Sequence, residues 1–243
     1  MSKMKIALTR PKYDSHLITP PIGMGYVSAY LKKNGYETKI IDGLNLDLTN
    51  EQIVEECKDY DLVGIFAMSA FFLEVIDLSK KLKQADKKVV IGGPHATCLP
   101  LLTLKETNAD FIIMGEGEET FLELVNGLEN NNLTNIPGLI TNETKEIIER
   151  PFIKNLDELP FPDWEQMDPR KYKKAPHGAL IKNFPVAPIT TTRGCPYNCK
   201  FCASPKLWKR TLRYRSPDNV IKEIIYLIKN FGIKEIHFED DNL

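Results

Sequence analysis

From residue 4 to residue 127, short apolar runs alternate with segments whose apolar residues recur at helical spacing, and this alternation restricts the fold more than any other feature. Lys5-Ile6-Ala7-Leu8-Thr9 is closed by Arg10-Pro11. Residues 23–33 carry Met24, Val27, Tyr30 and Leu31 at helical spacing and stop at Asn34-Gly35, which suits a helix C-terminus. Thr38-Lys39-Ile40-Ile41-Asp42 predicts a second strand. Thr49 then predicts the N-cap of a helix holding Ile53, Val54 and Cys57, with Gln52 completing a capping box. Residues 62–67 read as a buried third strand, and a helix follows from about residue 72 to residue 85. Lys88-Val89-Val90-Ile91 ends at Gly92-Gly93-Pro94, and Phe111-Ile112-Ile113-Met114 ends at Gly115 before a last helix over about 118–128. Five strands separated by helices predict a parallel sheet covered on both faces. Right-handed crossovers make this an α/β domain, flavodoxin-like or Rossmann-like, spanning residues 1–130.

Ligands of such sheets sit at the carboxyl ends of the strands, where the strand order reverses. Ser69 follows the third strand, Gly92-Gly93-Pro94-His95 the fourth, and Gly115-Glu116-Gly117-Glu118 the fifth. Glycine lets the backbone approach a ligand closely, and helix N-termini present free N–H groups. Each loop taken alone reads equally well as a simple strand-to-helix turn. Three on one edge favour a ligand.

Composition narrows the class. A chain of 243 residues with 42% hydrophobic residues and a net charge of -1 is an ordinary globular protein, neither disordered nor built to coat nucleic acid. No apolar run reaches the length of a membrane span, and the N-terminus lacks the apolar core of a signal peptide. Five cysteines, three of them crowded together, do not form a disulfide pattern, so a reducing cytoplasm is the expected compartment.

Residues 131–185 read as a connector. Asn130-Asn131-Asn132 and Pro137-Gly138 mark turns, and Leu139-Ile140-Thr141 with Glu146-Ile147-Ile148-Glu149 predicts a β-hairpin. The stretch from Leu156 to Trp164 is too proline-rich for a helix or a central strand. It predicts a strap, with Trp164 and Tyr172 as the side chains that pack it down.

In the last part, 186–243, the strand Val186-Ala187-Pro188-Ile189-Thr190-Thr191-Thr192 delivers Cys195-Pro196-Tyr197-Asn198-Cys199-Lys200-Phe201-Cys202. Spacing of C-x3-C-x2-C lets one loop wrap three corners of an iron–sulfur cube, which normally takes four thiolates. With only three, one iron is left open to bind a substrate as well as to pass electrons. The alternative, a structural zinc, prefers four tetrahedral ligands in paired spacing, and this loop has neither a fourth cysteine nor a histidine. From Arg193 to Arg215 there are seven Lys or Arg residues and no acid. Such a loop stabilises thiolates or an anionic ligand, or else is a solvated basic surface. Ser216 and Pro217 open a helix with a broad apolar face, Gly232 ends it, and Lys234-Glu235-Ile236-His237-Phe238 makes the next strand. Glu239-Asp240-Asp241 follows. The order strand, loop, helix, strand is the opening of a (β/α) barrel.

The cysteine loop, with Phe201 just before Cys202, resembles the signature of the radical S-adenosylmethionine (SAM) superfamily. The preceding domain, with Pro20-Pro21-Ile22-Gly23-Met24-Gly25 and the three edge loops, resembles that of the cobalamin-binding subgroup. The resemblance implies a [4Fe-4S] cluster on Cys195, Cys199 and Cys202, whose open iron chelates SAM. It implies one-electron cleavage of SAM to methionine and a 5′-deoxyadenosyl radical. It also implies cobalamin near Ser69, Gly92, Gly93, Pro94, His95, Gly115, Glu116 and Gly117, and SAM near Phe201, Glu239, Asp240 and Asp241. Asp14-Ser15-His16-Leu17-Ile18-Thr19 falls where other cobalamin domains carry a histidine ligand for cobalt, but Thr19 replaces the motif's glycine, and many relatives lack the histidine altogether. The implied activity is methyl transfer to an unreactive carbon of a small-molecule or natural-product substrate, with flavodoxin or ferredoxin as reductant. An oxidative cyclase or rearrangement enzyme is the alternative, and an inactive cobalamin-binding fragment a further one. Only two of the barrel's usual six strands are present, so the sequence reads as a fragment of a longer enzyme.

Overall fold

The protein is described by a computed structural model covering residues 3–174 and 181–242; residues 175–180 of the expected connector, and Leu243, lie outside the described residues. Strands β1 (Lys5–Arg10), β2 (Glu37–Asp42), β3 (Leu62–Phe66), β4 (Lys88–Gly92) and β5 (Phe111–Ile113) are all parallel. They lie in the order β2-β1-β3-β4-β5, the flavodoxin-like arrangement, whose order reverses between β1 and β3. Period-two alternation sorts their side chains onto two faces. Ile6, Leu8, Leu62, Val90 and Ile113 join Met24 and Leu31 of α1 (Ile22–Lys33) and Phe121 and Leu124 of α7 (Gly117–Glu129) in one core. Ala7, Val63, Val89, Ile91 and Ile112 face Ile53 of α3 (Asn50–Glu56), Val75, Leu78 and Leu82 of α4 (Phe72–Gln84) and Leu104 of α6 (Pro100–Thr107) in another.

Local signals placed most helix ends. Thr49 Oγ1 accepts from Gln52 N at 3.3 Å and Thr49 N donates to Gln52 Oε1 at 2.8 Å, the reciprocal capping box. Three elements differ from the sequence reading. A single turn, α2 (Gly43–Leu46), follows β2, and α5 (Pro94–Cys98) with α6 fills the segment after β4, each of the latter two opening on a proline at its first position. Cys98 ends α5, immediately before the Leu99 N-cap of α6. The expected hairpin does not form: β6 (Leu139–Ile140) adds antiparallel to β5 as a sixth strand, and the 146–149 arm contributes only the carbonyl of Ile148 to the N–H of Gly138 at 2.7 Å. Pairing with β5 satisfies backbone groups that a free sheet edge would leave open.

Beyond the strap, β7 (Val186–Ile189) pairs in parallel with β10 (Glu235–Phe238) through the crossover helix α9 (Pro217–Phe231). Ser216 Oγ accepts from Asn219 N at 3.2 Å to cap α9, and Gly232 ends it in the left-handed region at φ 64°. The excursion between them is bracketed by β8 (Thr192–Arg193) and β9 (Arg213–Tyr214), an antiparallel ladder of two residue pairs, and contains α8 (Ser204–Trp208).

The strap fastens both parts. Trp164 Nε1 donates to Glu223 Oε1 of α9 at 2.8 Å, and the Tyr172 hydroxyl donates to Asp42 Oδ2 at the end of β2 at 2.9 Å. Trp164, Met167, Ala187, Ile189, Leu227 and Phe231 belong to the same core as α1 and α7, so one apolar interior runs from the first sheet to α9. No helix among the described residues is long and apolar enough to cross a membrane.

Candidate functional site

The carboxyl ends of β1, β3, β4 and β5 open into a cavity of about 390 Å³. Leu8, Gly64, Val90 and Phe121 make its apolar depth, and Gly23, Met24, Tyr26 and Val27 of α1 line one side. Loops 92–94 and 115–118 line another. The second part of the chain supplies the rest: Thr190, Thr192 and Arg193 before the cysteine loop, Leu207 and Trp208 of α8, and Glu239 and Asp241 after β10. A depression of about 500 Å³ around Lys12, Asp47 and Lys173 is larger; Asp14, Ser15 and Ile18 of the loop around His16 line it, but no residue of the glycine loops or the cysteine loop does.

Of the residues named from the sequence, Gly92, Gly93, Pro94, Gly115, Glu116, Gly117, Glu239 and Asp241 line the cavity. Ser69, His95, His16, Phe201 and Asp240 do not. His16 is exposed on its loop, and Phe201 is 95% exposed. Ser69 is also exposed, with its hydroxyl 2.8 Å from His95 Nδ1. The His95 ring is buried and stacked on Phe72 at 3.7 Å, and burial pushes its imidazole below the ordinary range. This histidine therefore packs neutral behind the loop instead of facing the cavity. Asp240 is taken up structurally. Its carboxylate accepts from the backbone N–H groups of Thr191 and Thr192 at 2.8 and 2.6 Å and from both hydroxyls at 2.8 and 3.0 Å. That clamp fixes the turn between β7 and β8 and leaves its neighbours Glu239 and Asp241 at the cavity.

The cysteine loop hangs beside the cavity between β8 and β9. Cys195 is half-buried, Cys199 and Cys202 are exposed, and all three are free thiols. Cys202 Sγ accepts the Ser204 N–H at 3.4 Å. Gly194 holds φ 102°, and a side chain there would run into the carbonyl oxygen of Thr211. Among the described residues no three His, Cys, Asp or Glu side chains converge as they do around a single metal ion.

The basic segment proves to be largely neutralised. Arg193 pairs with Glu116 and Glu118 at 2.7 Å each, Arg213 with Glu116 at 2.8 Å, Arg215 with Glu223 at 2.6 Å, and Lys209 with Glu149. Burial opposes the Arg193 charge, but the nearby carboxylates of Glu118 and Glu116 outweigh it and raise its pKa. Lys200, Lys206 and Arg210 keep the character of a solvated basic surface: all three are exposed, and Arg210 Nε donates to the carbonyl of Pro196 at 3.1 Å. Sequence reasoning missed Tyr26, Thr190 and Trp208 as lining residues. Adjacency to the named motifs was the available signal for two of them: Tyr26 follows the glycine pair of α1, and Thr190 follows β7.

Comparison with known proteins places these features. The B12 binding domain family matches residues 13–125, and the Radical SAM superfamily matches residues 189–242. The chain is 36% identical to an uncharacterized methyltransferase of Pyrococcus horikoshii, over 99% of this chain and 54% of that protein. It is 30% identical to cytidylyl-2-hydroxyethylphosphonate methyltransferase of Streptomyces wedmorensis, over 98% of this chain and 55% of that protein. The chain thus spans about half the length of the curated relatives it matches. Its fold is shared with the radical S-adenosylmethionine methyltransferase TsrM from Kitasatospora setae, solved with cobalamin and a [4Fe-4S] cluster. The TM-score is 0.76 at 19% identity, covering 99% of this chain and 48% of that one.

Proposed function

Because the chain belongs to the radical SAM proteins that carry a cobalamin-binding domain, we propose that it gathers a [4Fe-4S] cluster, SAM and cobalamin around one cleft. In this reading it is the cofactor-bearing part of an enzyme that transfers a methyl group to an unreactive carbon of a small organic substrate. One observation carries the proposal: a single cavity is lined both by the glycine loops of the first sheet and by residues on either side of the cysteine loop.

The residues present fit the groups. Three free thiols on one accessible loop suit a cube, which takes its thiolates at separate corners, and the N–H of Ser204 is aimed at Cys202 Sγ. Gly92 leaves open the space that a side chain would fill: a Cβ there meets nothing nearer than Ile113 at 3.9 Å. When bound, the cluster supplies an electron to SAM, and cobalamin supplies the methyl group. In the proposal Cys195, Cys199 and Cys202 hold iron, and Glu239 and Asp241 offer carboxylates to the ammonium group of SAM. Loops 92–94 and 115–117 hold the corrin edge. A flavodoxin or ferredoxin is the proposed reductant. Methyl transfer is preferred to cyclisation because the relative at 36% identity is a methyltransferase.

Electron paramagnetic resonance of the anaerobically reconstituted, reduced protein tests the cluster. A four-iron signal that shifts on adding SAM is expected; a cluster signal indifferent to SAM would remove the open iron from the proposal. Gly92→Leu tests the cleft. Gly93 is unsuited to this, because at φ 104° a Cβ would stand 2.8 Å from the Ala67 carbonyl oxygen and distort the fold. The Gly92 variant is expected to weaken cobalamin binding by at least ~10-fold, about 1.4 kcal/mol, with iron content and melting temperature unchanged. Unaltered affinity would take the corrin away from the end of β4.

A further inference from the structure

Both ends of the cysteine loop are tied to one carboxylate of the cavity wall. Arg193, where the chain enters the loop, donates through Nη1 to Glu116 Oε1 at 2.7 Å and through Nη2 to Glu118 Oε1 at 2.7 Å. Arg213, where the chain returns, is its cross-strand partner and donates through Nη1 to Glu116 Oε1 and Oε2 at 2.9 and 2.8 Å. Glu116 Oε2 also accepts the Ile153 N–H at 2.8 Å, so both of its oxygens are engaged. These groups are buried: the side chains of Arg193, Arg213, Glu116 and Glu118 are 12%, 10%, 3% and 4% exposed. Aromatic rings hold the cations in place, with the Arg193 guanidinium 4.8 Å from the Tyr26 ring and Arg213 4.7 Å from Phe152.

A buried carboxylate shared by two guanidinium groups resists separate movement of its partners, because displacing either one strands a charge. Glu116 belongs to the loop lining the cleft, and Arg193 is separated from Cys195 only by Gly194. Gly115 at φ 73° and Gly194 at φ 102° stand immediately beside the pair.

On the reading that the cleft takes cobalamin and the cysteines take a cluster, we infer that Glu116 and Arg193 are positioning residues that couple the two sites. Ordering the cysteine loop around a cluster fixes Arg193, which fixes the 115–118 wall against which cobalamin binds. The second ligand then meets a loop already ordered. Linkage makes the effect reciprocal, so cobalamin in the cleft also strengthens retention of the cluster.

The test titrates the full chain anaerobically with aquacobalamin, once with the cluster reconstituted and once in the cluster-free Cys195→Ala/Cys199→Ala/Cys202→Ala variant. Cobalamin is expected to bind ~10-fold more tightly with the cluster present, within the usual range of coupling. Adding Arg193→Lys keeps the charge but loses the two-pronged contact, and Glu116→Gln removes the shared charge; each should bring the ratio towards one. Glu118→Gln, which removes only the charge facing Nη2, should give an intermediate ratio, and it serves if Glu116→Gln does not fold. A purely structural role lowers both affinities equally and leaves the ratio intact. A ratio of one in the parent chain, or an undiminished ratio in the folded variants, overturns the coupling alone. No cobalamin binding by the parent chain in either state overturns the proposed function and the coupling with it.

Discussion

Alanine at Cys195, Cys199 or Cys202 is expected to remove the iron and sulfide taken up on anaerobic reconstitution while the chain remains folded. The expectation rests on where the thiols lie. Cys199 and Cys202 are exposed and Cys195 is half-buried, and none belongs to a core cluster. Substitution at such positions changes stability by about 0.5 kcal/mol or less. The cleft is lined by other residues, so cobalamin binding should persist, weakened only by the lost coupling of ~10-fold. Iron analysis, circular dichroism and cobalamin titration on the same samples check all three parts. Full iron and sulfide in all three variants would show that the loop holds no cluster.

The largest effect on stability is expected at Trp164. Its side chain is 1% exposed and lies in the core shared by α1, α7, β7 and α9. Trp164→Ala should cost about 3–5 kcal/mol, lowering the melting temperature by roughly 6–20 °C for a chain of this size. Part of the loss arises at Glu223, which is fully buried. It receives the indole N–H at 2.8 Å and lies 2.6 Å from Arg215 Nη1. Trp164→Phe keeps most of the apolar contact and deletes the donor, at about 1–3 kcal/mol for the lost hydrogen bond. Calorimetric melting of the two variants separates packing from hydrogen bonding. A Trp164→Ala protein that melts within a few degrees of the parent would mean that the strap is not part of the core.

Tyr26 shows how the two parts are joined in detail. It stands on α1, yet its hydroxyl lies 3.5 Å from Thr190 Oγ1 and 3.4 Å from Arg215 Nη1, and the Arg193 guanidinium covers its ring. Burial first, and then the charge of Glu223, hold its phenol above the ordinary range, so it stays protonated and able to donate. A tyrosine on an amphipathic helix reads from sequence as packing against its own sheet. Its second role depends on elements more than 160 residues away.

Much of the fold was legible because its causes are local. Alternating apolar runs encode β1 to β5, Thr49 with Gln52 encodes one helix start, and Ser216 with Gly232 encodes both ends of α9. The 139–149 segment misled because hairpin spacing says nothing about a competing partner, and the edge of β5 was the partner that Leu139 and Ile140 took. Among site residues, the glycine loops were legible because strand ends in a parallel sheet share one edge. Asp240 was not, since a carboxylate after a strand looks the same whether it faces a ligand or clamps Thr191 and Thr192.

A flavodoxin-like sheet, the strand–loop–helix–strand unit after it and the C-x3-C-x2-C loop could all be read along the chain. Those properties depend on periodicity and on spacing within a few residues. Which charges meet depends instead on how distant segments pack together. The segment from Arg193 to Arg215 contains no acid, yet Glu116 and Glu118, 77 and 75 residues upstream of Arg193, and Glu223 within α9 neutralise Arg193, Arg213 and Arg215. The physical reason is that an ion pair is selected by burial and approach in space, and a buried guanidinium away from water persists only where a carboxylate is brought to it.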